Sequence, residues 1–592
     1  MSRDKRNKIS RREFIRSTAG GMGVSLFGGI LPVDLAAETP LNDLFWVKGI
    51  PDNPFYSSVQ EHYHAGVDTL LSLMGKQGLK FYRSPQTSRL SGPSGMIAPD
   101  DVVLIKVNAQ WKYRGCTNSD LVRGVVQRIL DHPDIFSGEV VIFENGQGRG
   151  SLNCDTKGGS TYQDEKVHAN ANNEKHSFLY LVDEIFDDPR VSSYLLDPIR
   201  TTFIGDTDHQ TDGYRIFENI SYPCFTTAAG QRIELREGIW NGNGYAQNLK
   251  LINIPVLKHH DRGGSEITAS LKHFYGVLSM RDGRSSYRHY AGLGDTCGRM
   301  VVSVRTPVLN ILDAVWVSHA SLKGYPSETT HRVNQILAGQ DPVALDYWAA
   351  KYILYPIDSN PRHHPDYPGI QLWLEGAKNR INGRGGLQDP HGIVIVSKVT
   401  KEEDRMSVHV RQAKSFALSG KALDGDSRSA LSGVVLTGLP GNPVTDSSGK
   451  YTARVFPGWQ GTVKPEKEGL YFKPESRTYS GVNSDLHDQN YSGFATLMAP
   501  LNFSGQKKTN RSLTQVEYIN ILRWEPNPAN QNVTAYRLYE KTDDNLSLLA
   551  EFGSGVFEHW IRGVAKDKAY VYALTAVNAA GREGASVTFT IL

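Results

Sequence analysis

Apolar runs alternate with stretches of helical periodicity between residues 102 and 398 of the sequence. Residues 101–107 contain a continuous apolar run, which is typical of a strand buried on both faces. Asn118 precedes residues 121–130, whose apolar positions recur at helical spacing, so we expect it to cap a helix. The same criteria predict a helix at residues 178–186 and strands at residues 139–143, 202–204, 251–255, 308–312 and 392–396. Strands separated by helices predict an α/β domain with a mostly parallel sheet at residues 38–410.

Ligand sites in sheets of this kind lie at the carboxyl ends of the strands. In this sequence the rule selects a set of polar side chains, namely Lys106, Asn108, Glu144, Asn145, Asp206, Lys258, His259, His260 and Asp313. His259 and His260 are adjacent, so on a strand they point to opposite faces and only one of them can face a given site.

Short alternating runs and turn residues replace the helical periodicity after about residue 414. The pattern predicts two small all-β sandwich domains, at residues 415–494 and 495–592. The turn at residues 445–451 resembles the T-D-x-x-G-x-Y turn of carboxypeptidase regulatory-like domains. In the last domain Trp524, Tyr536, Tyr539 and residues 570–581 are similar to the core tryptophan, middle strand and late strand of fibronectin type III domains. Both resemblances imply spacer or adhesive modules without chemistry of their own.

The N-terminal segment has the pattern of an export signal. Arg11 and Arg12 precede a weakly apolar, Gly-rich stretch at residues 17–37, which predicts a twin-arginine signal peptide at residues 1–37. The protein is therefore expected to engage the twin-arginine translocation machinery and to be periplasmic, cell-surface or extracellular. An uncleaved membrane anchor is the alternative. No other run suggests a transmembrane helix.

Charge and cysteine content exclude some classes of function. Residues 1–37 hold seven Lys and Arg against three Asp and Glu, so the chain's formal charge of +3 becomes −1 without them. A chain with a net charge this close to zero gives no indication of nucleic-acid binding. The four cysteines form no C-x-x-C pair, which argues against a cysteine-held metal cluster. They allow two disulfides in three pairings, or four buried thiols.

The segment at residues 251–276 carries the strongest chemical pattern. A strand ends in Lys258, His259 and His260, and a helix is predicted a few residues later, with Thr268 and Lys272 four residues apart on one face. Lys258, Lys272 and the free amides at the helix start are expected to converge on one anion. Lys106 and Asn108 are expected to join them as substrate-binding residues, although a solvated strand end is the alternative for these two.

This segment resembles the family called domain of unknown function 362, whose pattern is P-x-x-K-x-H followed by T-x-x-x-K-N-x-x-G. His273 stands where the pattern has asparagine. Residues 103–108, 310–314 and 336–346 fit the same family, so the resemblance covers residues 100–355. Some relatives carry an appended ferredoxin-like cluster domain, which implies redox work, but the family has no settled reaction.

Asp313 ends an apolar strand, where a carboxylate is costly unless it has partners, so it is the predicted catalytic acid, with His260 as its partner in proton exchange. Asp341 is expected to be a helix N-cap, and Asp346 either a catalytic group or a partner of the helix dipole. The Gly-rich residues 146–150 suggest a flexible loop, with dinucleotide binding as the alternative. Metal and cofactor stay unknown.

Two functions fit these patterns. The first is an exported enzyme that acts on an anionic small molecule or cofactor. The alternative is a non-catalytic periplasmic or surface protein that binds an acidic ligand or a cell-surface polysaccharide. The sequence alone does not decide whether the protein is an enzyme.

Overall fold

The structure is a computed structural model that describes residues 41–55, 62–111, 113–147, 152–154, 168–260, 266–530, 532–542, 545–579 and 581–592. The predicted signal peptide and residues 148–150 of the Gly-rich segment lie outside these ranges. Asn42–Leu592 form one compact unit, which is a multidomain arrangement of a mixed sheet followed by small all-β sheets. No helix in the described ranges is long and apolar enough to span a membrane.

The first part of this unit, residues 42–412, contains both strands and helices. Its strands are β1 (Asn42–Lys48), β2 (Tyr82–Arg83), β3 (Ser91–Gly92), β4 (Val102–Lys106), β5 (Glu139–Glu144), β6 (Val191–Leu195), β7 (Gly213–Phe217), β8 (Ile220–Thr226), β9 (Arg232–Glu234), β10 (Gly238–Trp240), β11 (Tyr245–Ala246), β12 (Leu249–Asn253), β13 (Val256–His259), β14 (Ile267–Thr268), β15 (Leu309–Ser318), β16 (Thr330–Gly339), β17 (Leu387–Gln388), β18 (Val394–Val396) and β19 (Met406–Gln412). Its α-helices are α1 (Ala65–Lys76), α2 (Ser119–Leu130), α3 (Phe178–Tyr180), α4 (Ser270–Phe274), α5 (Met280–Gly283), α6 (Ser286–His289), α7 (Leu293–Ser303), α8 (Pro342–Ala349), α9 (Tyr355–Asp358) and α10 (Pro368–Gly383).

The main sheet has the strand order β19-β1-β16-β15-β12-β4-β5-β6, with β13 and β14 attached beside β15. The run from β15 to β6 is parallel. In contrast, β16 is antiparallel to both of its neighbours, β15 and β1. The connection from β15 to β16 is too short for a crossover, so β16 runs back along β15. The prediction of a mostly parallel sheet therefore describes its central run, whereas the whole sheet is mixed.

Alternate residues of the central strands enter two separate cores. Leu104 packs into the core on one face of the sheet and Ile105 into the core on the other. This alternation confirms that both faces are covered. Asn118 accepts a hydrogen bond from the Leu121 amide, so the predicted cap of α2 is confirmed. The predicted helix at residues 178–186 is also present, as α3 followed by a π-helical turn, Leu181–Phe186.

One predicted strand is wrong, one is shorter than predicted, and one sheet was missed. Residues 202–204 contribute only an isolated bridge at Phe203. Residues 392–396 shorten to β18, which pairs with β17 outside the main sheet. Strands β7 to β11 form a separate antiparallel sheet, whose strands are too short and too closely spaced to produce a clear periodic signal.

The second part, residues 416–495, is all-β. Its strands are β20 (Phe416–Asp424), β21 (Val435–Thr437), β22 (Lys450–Val455), β23 (Trp459–Glu466), β24 (Leu470–Lys473), β25 (Arg477–Val482) and β26 (Tyr491–Ala495). They form two sheets, β22-β20-β26-β24 and β21-β23-β25, around one apolar core. Gly449 has a φ of 72° in the predicted turn before β22, a conformation that glycine adopts without strain.

The third part, residues 501–591, is also all-β. Its strands are β27 (Leu501–Arg511), β28 (Val516–Glu525), β29 (Val533–Thr542), β30 (Asn545–Gly553), β31 (Glu558–Arg562), β32 (Tyr570–Asn578) and β33 (Val587–Ile591). A three-stranded sheet, β27-β28-β31, and a four-stranded sheet, β30-β29-β32-β33, enclose a core that includes Trp524 and Tyr536. Small all-β, sandwich-like sheets thus follow the mixed sheet of the first part, as predicted.

Candidate functional site

A cavity of about 140 Å³ lies at the carboxyl ends of β4, β5 and β13. Its described lining residues are Lys106, Asn108, Gln110, Trp111, Glu144, Asn145, Gln147, Lys258, His260, Thr268, Lys272, His273, Tyr275, Gly276, His289 and Leu322. The five predicted substrate-binding residues and His260 are all among them. Residues more than 160 positions apart in the sequence are therefore brought to one place by the parallel strands.

Lys106 and Glu144 form a buried ion pair on the cavity wall. Lys106 Nζ lies 2.8 Å from Glu144 Oε1 and donates a second hydrogen bond to the Val107 carbonyl. Glu144 also accepts hydrogen bonds from the amides of Ala109 and Asn145. Burial lowers the pKa of Lys106, while the charge of Glu144 opposes this shift. The pair is nearly neutral as a unit, so Lys106 adds little net positive charge to the cavity.

Lys258, Thr268 and His260 form another part of the cavity lining. Lys258 and Thr268 are register partners between β13 and β14. Lys258 Nζ donates to the Gly115 carbonyl at 2.6 Å, and His260 Nδ1 lies 2.9 Å from Thr268 Oγ1. Burial and the charges of Lys272 and Lys258 lower the pKa of His260 well below its ordinary value. His260 is therefore a neutral imidazole at neutral pH, and it becomes a better proton acceptor only when a bound anion offsets the neighbouring positive charges.

Lys272 reaches the cavity from α4. Its Nζ lies 3.4 Å from His289 Nε2 and 4.1 Å from the centroid of the Tyr275 ring. Burial lowers the pKa of Lys272 to about 8. No carboxylate in the described ranges contributes to this pKa, which distinguishes Lys272 from Lys106. At neutral pH Lys272 is a cation that loses its proton easily.

His273 holds the backbone of the strand end in place. Its Nδ1 lies 2.6 Å from Asn108 Oδ1, and its Nε2 lies 3.2 Å from the Lys106 carbonyl. Burial lowers the pKa of His273 well below its ordinary value, so the ring is neutral and carries one N–H, which it can donate to only one of these two oxygen atoms. The histidine that departs from the family pattern thus connects α4 to Asn108.

The amides at the start of α4 do not face an exogenous anion, so this part of the prediction is wrong. Asp346, on α8, accepts hydrogen bonds from the amides of Ser270 and Leu271 at 2.7 and 3.0 Å. The Asp346 carboxylate, and not a ligand, binds these amides, because Ala269 at the N-cap has no side-chain acceptor for them. Thr268 also lies on β14 and not on the helix, yet it lines the same cavity as Lys272.

Replacing Asp346 by asparagine is expected to destabilise the protein by about 1–3 kcal/mol, because one of the two α4 amides would face an NH₂ group and lose its acceptor. Urea denaturation of the full chain measures this change. The exposed Asp404 provides a control, since Asp404→Asn should alter the free energy of unfolding by less than about 0.5 kcal/mol. Equal stability of Asp346→Asn and wild type would show that the carboxylate does not cap α4.

Asp313 is not among the described residues that line the cavity. Its two carboxylate oxygens accept the amides of Asn118 and Val315, and burial raises its pKa to about 7. It joins β15 to the start of α2. Asp341 is the N-cap of α8, as predicted, and accepts the amides of Val343 and Ala344.

His259 is not among the described residues that line the cavity, whereas its neighbour His260 is, in agreement with the expectation that only one of the two faces the site. His259 Nδ1 lies 2.9 Å from His363 Nε2, and His363 in turn contacts Asp358. Asp206 also lies outside the described lining residues. Within the described ranges, no group of three or more His, Cys, Asp or Glu side chains is arranged to hold a metal ion.

Tyr275, His289 and Trp111 line the cavity but were missed by sequence reasoning. Tyr275 follows Lys272 at helical spacing, which is a usable signal. His289 is on the short helix α6 and Trp111 follows an irregular segment, so neither belongs to a periodic pattern. Only the tertiary fold brings these two side chains to the strand ends.

One protein-family model matches a segment of the chain that contains several of the cavity-lining residues. Residues 242–351 match the family model described as Domain of unknown function (DUF362). The DUF362 match covers less than a fifth of the chain and includes Lys258, His260, Thr268 and Lys272, whereas Lys106 lies outside it. No curated protein matches the chain.

Solved structures to which the chain is similar include fibronectin type III-like domains. "Structure of FN3tt mut" is 20% identical, with 16% of this chain and 90% of that chain covered and a TM-score of 0.13. "The crystal structure of a Fn3-like protein from Clostridium thermocellum" is 19% identical, with 16% and 88% covered and a TM-score of 0.13. "Solution Structure of The Third Fibronectin III Domain of Human KIAA0343 Protein" is 18% identical, with 16% and 80% covered and a TM-score of 0.13.

Proposed function

We propose that the protein binds a small anionic molecule in the strand-end cavity and exchanges protons with it through Lys272 and His260. The observation that carries this proposal is the state of Lys272, a cavity-lining cation whose pKa is lowered to about 8 by burial. A group with a pKa near the working pH can both attract an anion and act as a base after losing its proton.

The size of the cavity supports a small guest. Its volume is about 140 Å³, and a protein cavity of about 150 Å³ holds one benzene molecule. A guest of about six non-hydrogen atoms, or the terminal group of a larger one, is therefore the best fit. A short carboxylate or a phosphate group meets this limit, whereas a whole dinucleotide or a polysaccharide segment exceeds it.

The arrangement of charges supports binding followed by proton transfer. Lys258, whose Nζ donates to the Gly115 carbonyl, also lines the cavity. Neutral His260 lies on the same wall. Proton abstraction from a carbon or oxygen next to a carboxylate or carbonyl group is the reaction class that these residues suit best. Asp313 has no role in this proposal because both of its oxygens are used by backbone amides.

Deuterium exchange tests this proposal because it detects proton transfer even when no product is identified. The full chain is incubated in D₂O with short hydroxy and oxo acids, and proton NMR follows the loss of signal from the C–H protons next to the carboxylate of each hydroxy acid and next to the ketone of each oxo acid. Lys272→Arg retains the positive charge but has a pKa far above neutral, so it should still bind the acid and exchange its proton at least about 100-fold more slowly. Undiminished exchange in Lys272→Arg would overturn the assignment of Lys272. Binding without exchange of any acid would support the alternative, a non-catalytic binding protein.

We also propose that the protein is exported in the folded state by the twin-arginine machinery and works outside the cytoplasm. The support is the pair Arg11 and Arg12 followed by a weakly apolar segment. The two all-β domains would then act as spacers, the first of them a carboxypeptidase regulatory-like module.

A further inference from the structure

The buried ion pair of Lys106 and Glu144 retains hydrogen-bonding capacity, and both side chains line the cavity. An ammonium group has three N–H donors, and a carboxylate accepts about four hydrogen bonds. Lys106 Nζ donates to Glu144 Oε1 and to the Val107 carbonyl, both at 2.8 Å. Glu144 accepts from Lys106 and from the amides of Ala109 and Asn145. Within the described ranges, one donor of Lys106 and one acceptor position of Glu144 are therefore left for a guest.

Gly276 gives a guest access to this ion pair. The residue lines the cavity and belongs to the 3₁₀ turn Tyr275–Val277 that follows α4. A methyl group at Gly276 would place its carbon 3.5 Å from Lys106 Nζ and 3.7 Å from Glu144 Oε1. An oxygen atom of a guest in the same place needs to move by only about 0.5 Å to form hydrogen bonds with both groups. Because glycine has no side chain, this position is accessible to a ligand.

The chemistry of the ion pair selects a hydroxyl group. A hydroxyl group can accept a hydrogen bond from Lys106 and donate one to Glu144 at the same time. A ketone oxygen can accept the first bond, but it has no proton to donate to the carboxylate. A C–H group would leave both charged groups without a further partner. Sites built to bind a substrate hydroxyl group discriminate strongly against analogues that lack it.

The cation that binds the anionic group of the guest lies on a different element of the fold. Lys272 is on α4, whereas Lys106 and Glu144 end β4 and β5. Glu144 neutralises Lys106, so the two locations differ in charge, and the cavity offers one position for an anion and another for a hydroxyl group. Its volume of about 140 Å³ admits about six non-hydrogen atoms, which is enough for a small molecule that carries both groups.

We propose that the guest is a hydroxy acid, whose carboxylate binds Lys272 and whose hydroxyl group binds between Lys106 and Glu144. This inference rests on the anion binding proposed above and adds the second functional group of the guest. Plain carboxylates and oxo acids are then weaker ligands than hydroxy acids with the same carbon skeleton. Gly276 determines this specificity, because its lack of a side chain gives the hydroxyl group access to the ion pair.

Isothermal titration of the full chain with matched acids tests this inference. The pairs are glycolate and acetate, β-hydroxypropionate and propionate, and γ-hydroxybutyrate and butyrate, so the distance between the carboxylate and the hydroxyl group increases along the series. In the pair whose distance fits the cavity, the dissociation constant of the hydroxy acid should be at least about tenfold lower than that of the plain acid. Sulfate is titrated in parallel, because it tests anion binding alone.

Two variants and one control locate the hydroxyl site. Gly276→Ala places a methyl group against the ion pair at an ordinary van der Waals distance, so it should fold and reduce the ratio of the two dissociation constants to about threefold or less. Lys106→Met combined with Glu144→Gln removes the partners of the hydroxyl group and should reduce the ratio equally. Gly383→Ala, the same change at the exposed end of α10, should keep the wild-type ratio.

The outcomes separate this inference from the proposed function. Binding of sulfate together with equal affinities within every pair of acids, in the wild type, would overturn the hydroxyl site and leave the anion site in place. A wild-type ratio that persists in Gly276→Ala, or in the double variant if Gly276→Ala does not fold, would overturn the site as well. Failure of sulfate and of all six acids to bind the wild type would contradict the proposed function itself, and the hydroxyl site with it.

Discussion

Replacing Glu144 by glutamine is expected to lower the free energy of unfolding by about 3–5 kcal/mol, because the Lys106 ammonium would remain buried without a carboxylate partner. Lys106 is fully buried and Glu144 is 2% exposed, so water does not replace the lost charge. Lys106→Met should cost a similar amount, since it leaves the carboxylate unpaired. Denaturant unfolding of the full chain, followed at the transition of the α/β part, measures these changes.

The double variant distinguishes a buried ion pair from two independent residues. Lys106→Met combined with Glu144→Gln should be clearly more stable than the sum of the single changes predicts, because no unpaired charge remains. Lys351→Met is the matched control, because its partner Glu403 is partly exposed, and its loss should cost less than about 1 kcal/mol. A Glu144→Gln variant that loses no more stability than this control would contradict the description of the pair.

Replacing Lys272 by methionine is expected to weaken the binding of small anions at neutral pH by at least tenfold, because a charge-assisted hydrogen bond contributes about 1.5–3 kcal/mol. Methionine has a similar length and occupies the same space, so the change removes mainly the charge. Isothermal titration with sulfate, inorganic phosphate and oxalate measures the dissociation constants of the wild type and the variant. Lys351→Met, which removes a cation remote from the cavity lining, should leave these constants unchanged.

The positions of the cavity residues were predictable from the sequence because they depend on local patterns and one general rule. Lys106 and Lys258 each follow an apolar run, and the carboxyl ends of neighbouring parallel strands meet at one edge. Lys272 was placed by its spacing from Thr268, although that spacing spans a strand and a helix and not one helix. The rule that ligand sites lie at the carboxyl ends of strands therefore located the cavity correctly, although the helix predicted to include Thr268 was wrong.

The contacts that determine the charge of each group could not be predicted. Glu144 was selected as a strand-end residue, but only the register of β4 beside β5 shows that it neutralises Lys106. Asp346 carries no sequence signal of its backbone partners, which lie more than 70 positions away. The same holds for Asn118, one of the two backbone partners of Asp313, which lies more than 190 positions away. Burial and long-range pairing thus separate Lys272, whose pKa no carboxylate in the described ranges affects, from Lys106, which Glu144 neutralises.

The central claim is that Lys272 holds an anion by its charge while having a pKa near 8. Titration of the wild type with sulfate and with oxalate, whose charges are constant from about pH 6 to about pH 10, tests this claim most directly. Protonated Lys272 attracts the anion, so the affinity should be highest below its pKa and should fall as the pH rises through about 8. Lys272→Met should lack this decrease. An affinity that stays constant across this range in the wild type, or that falls equally in Lys272→Met, would contradict the account.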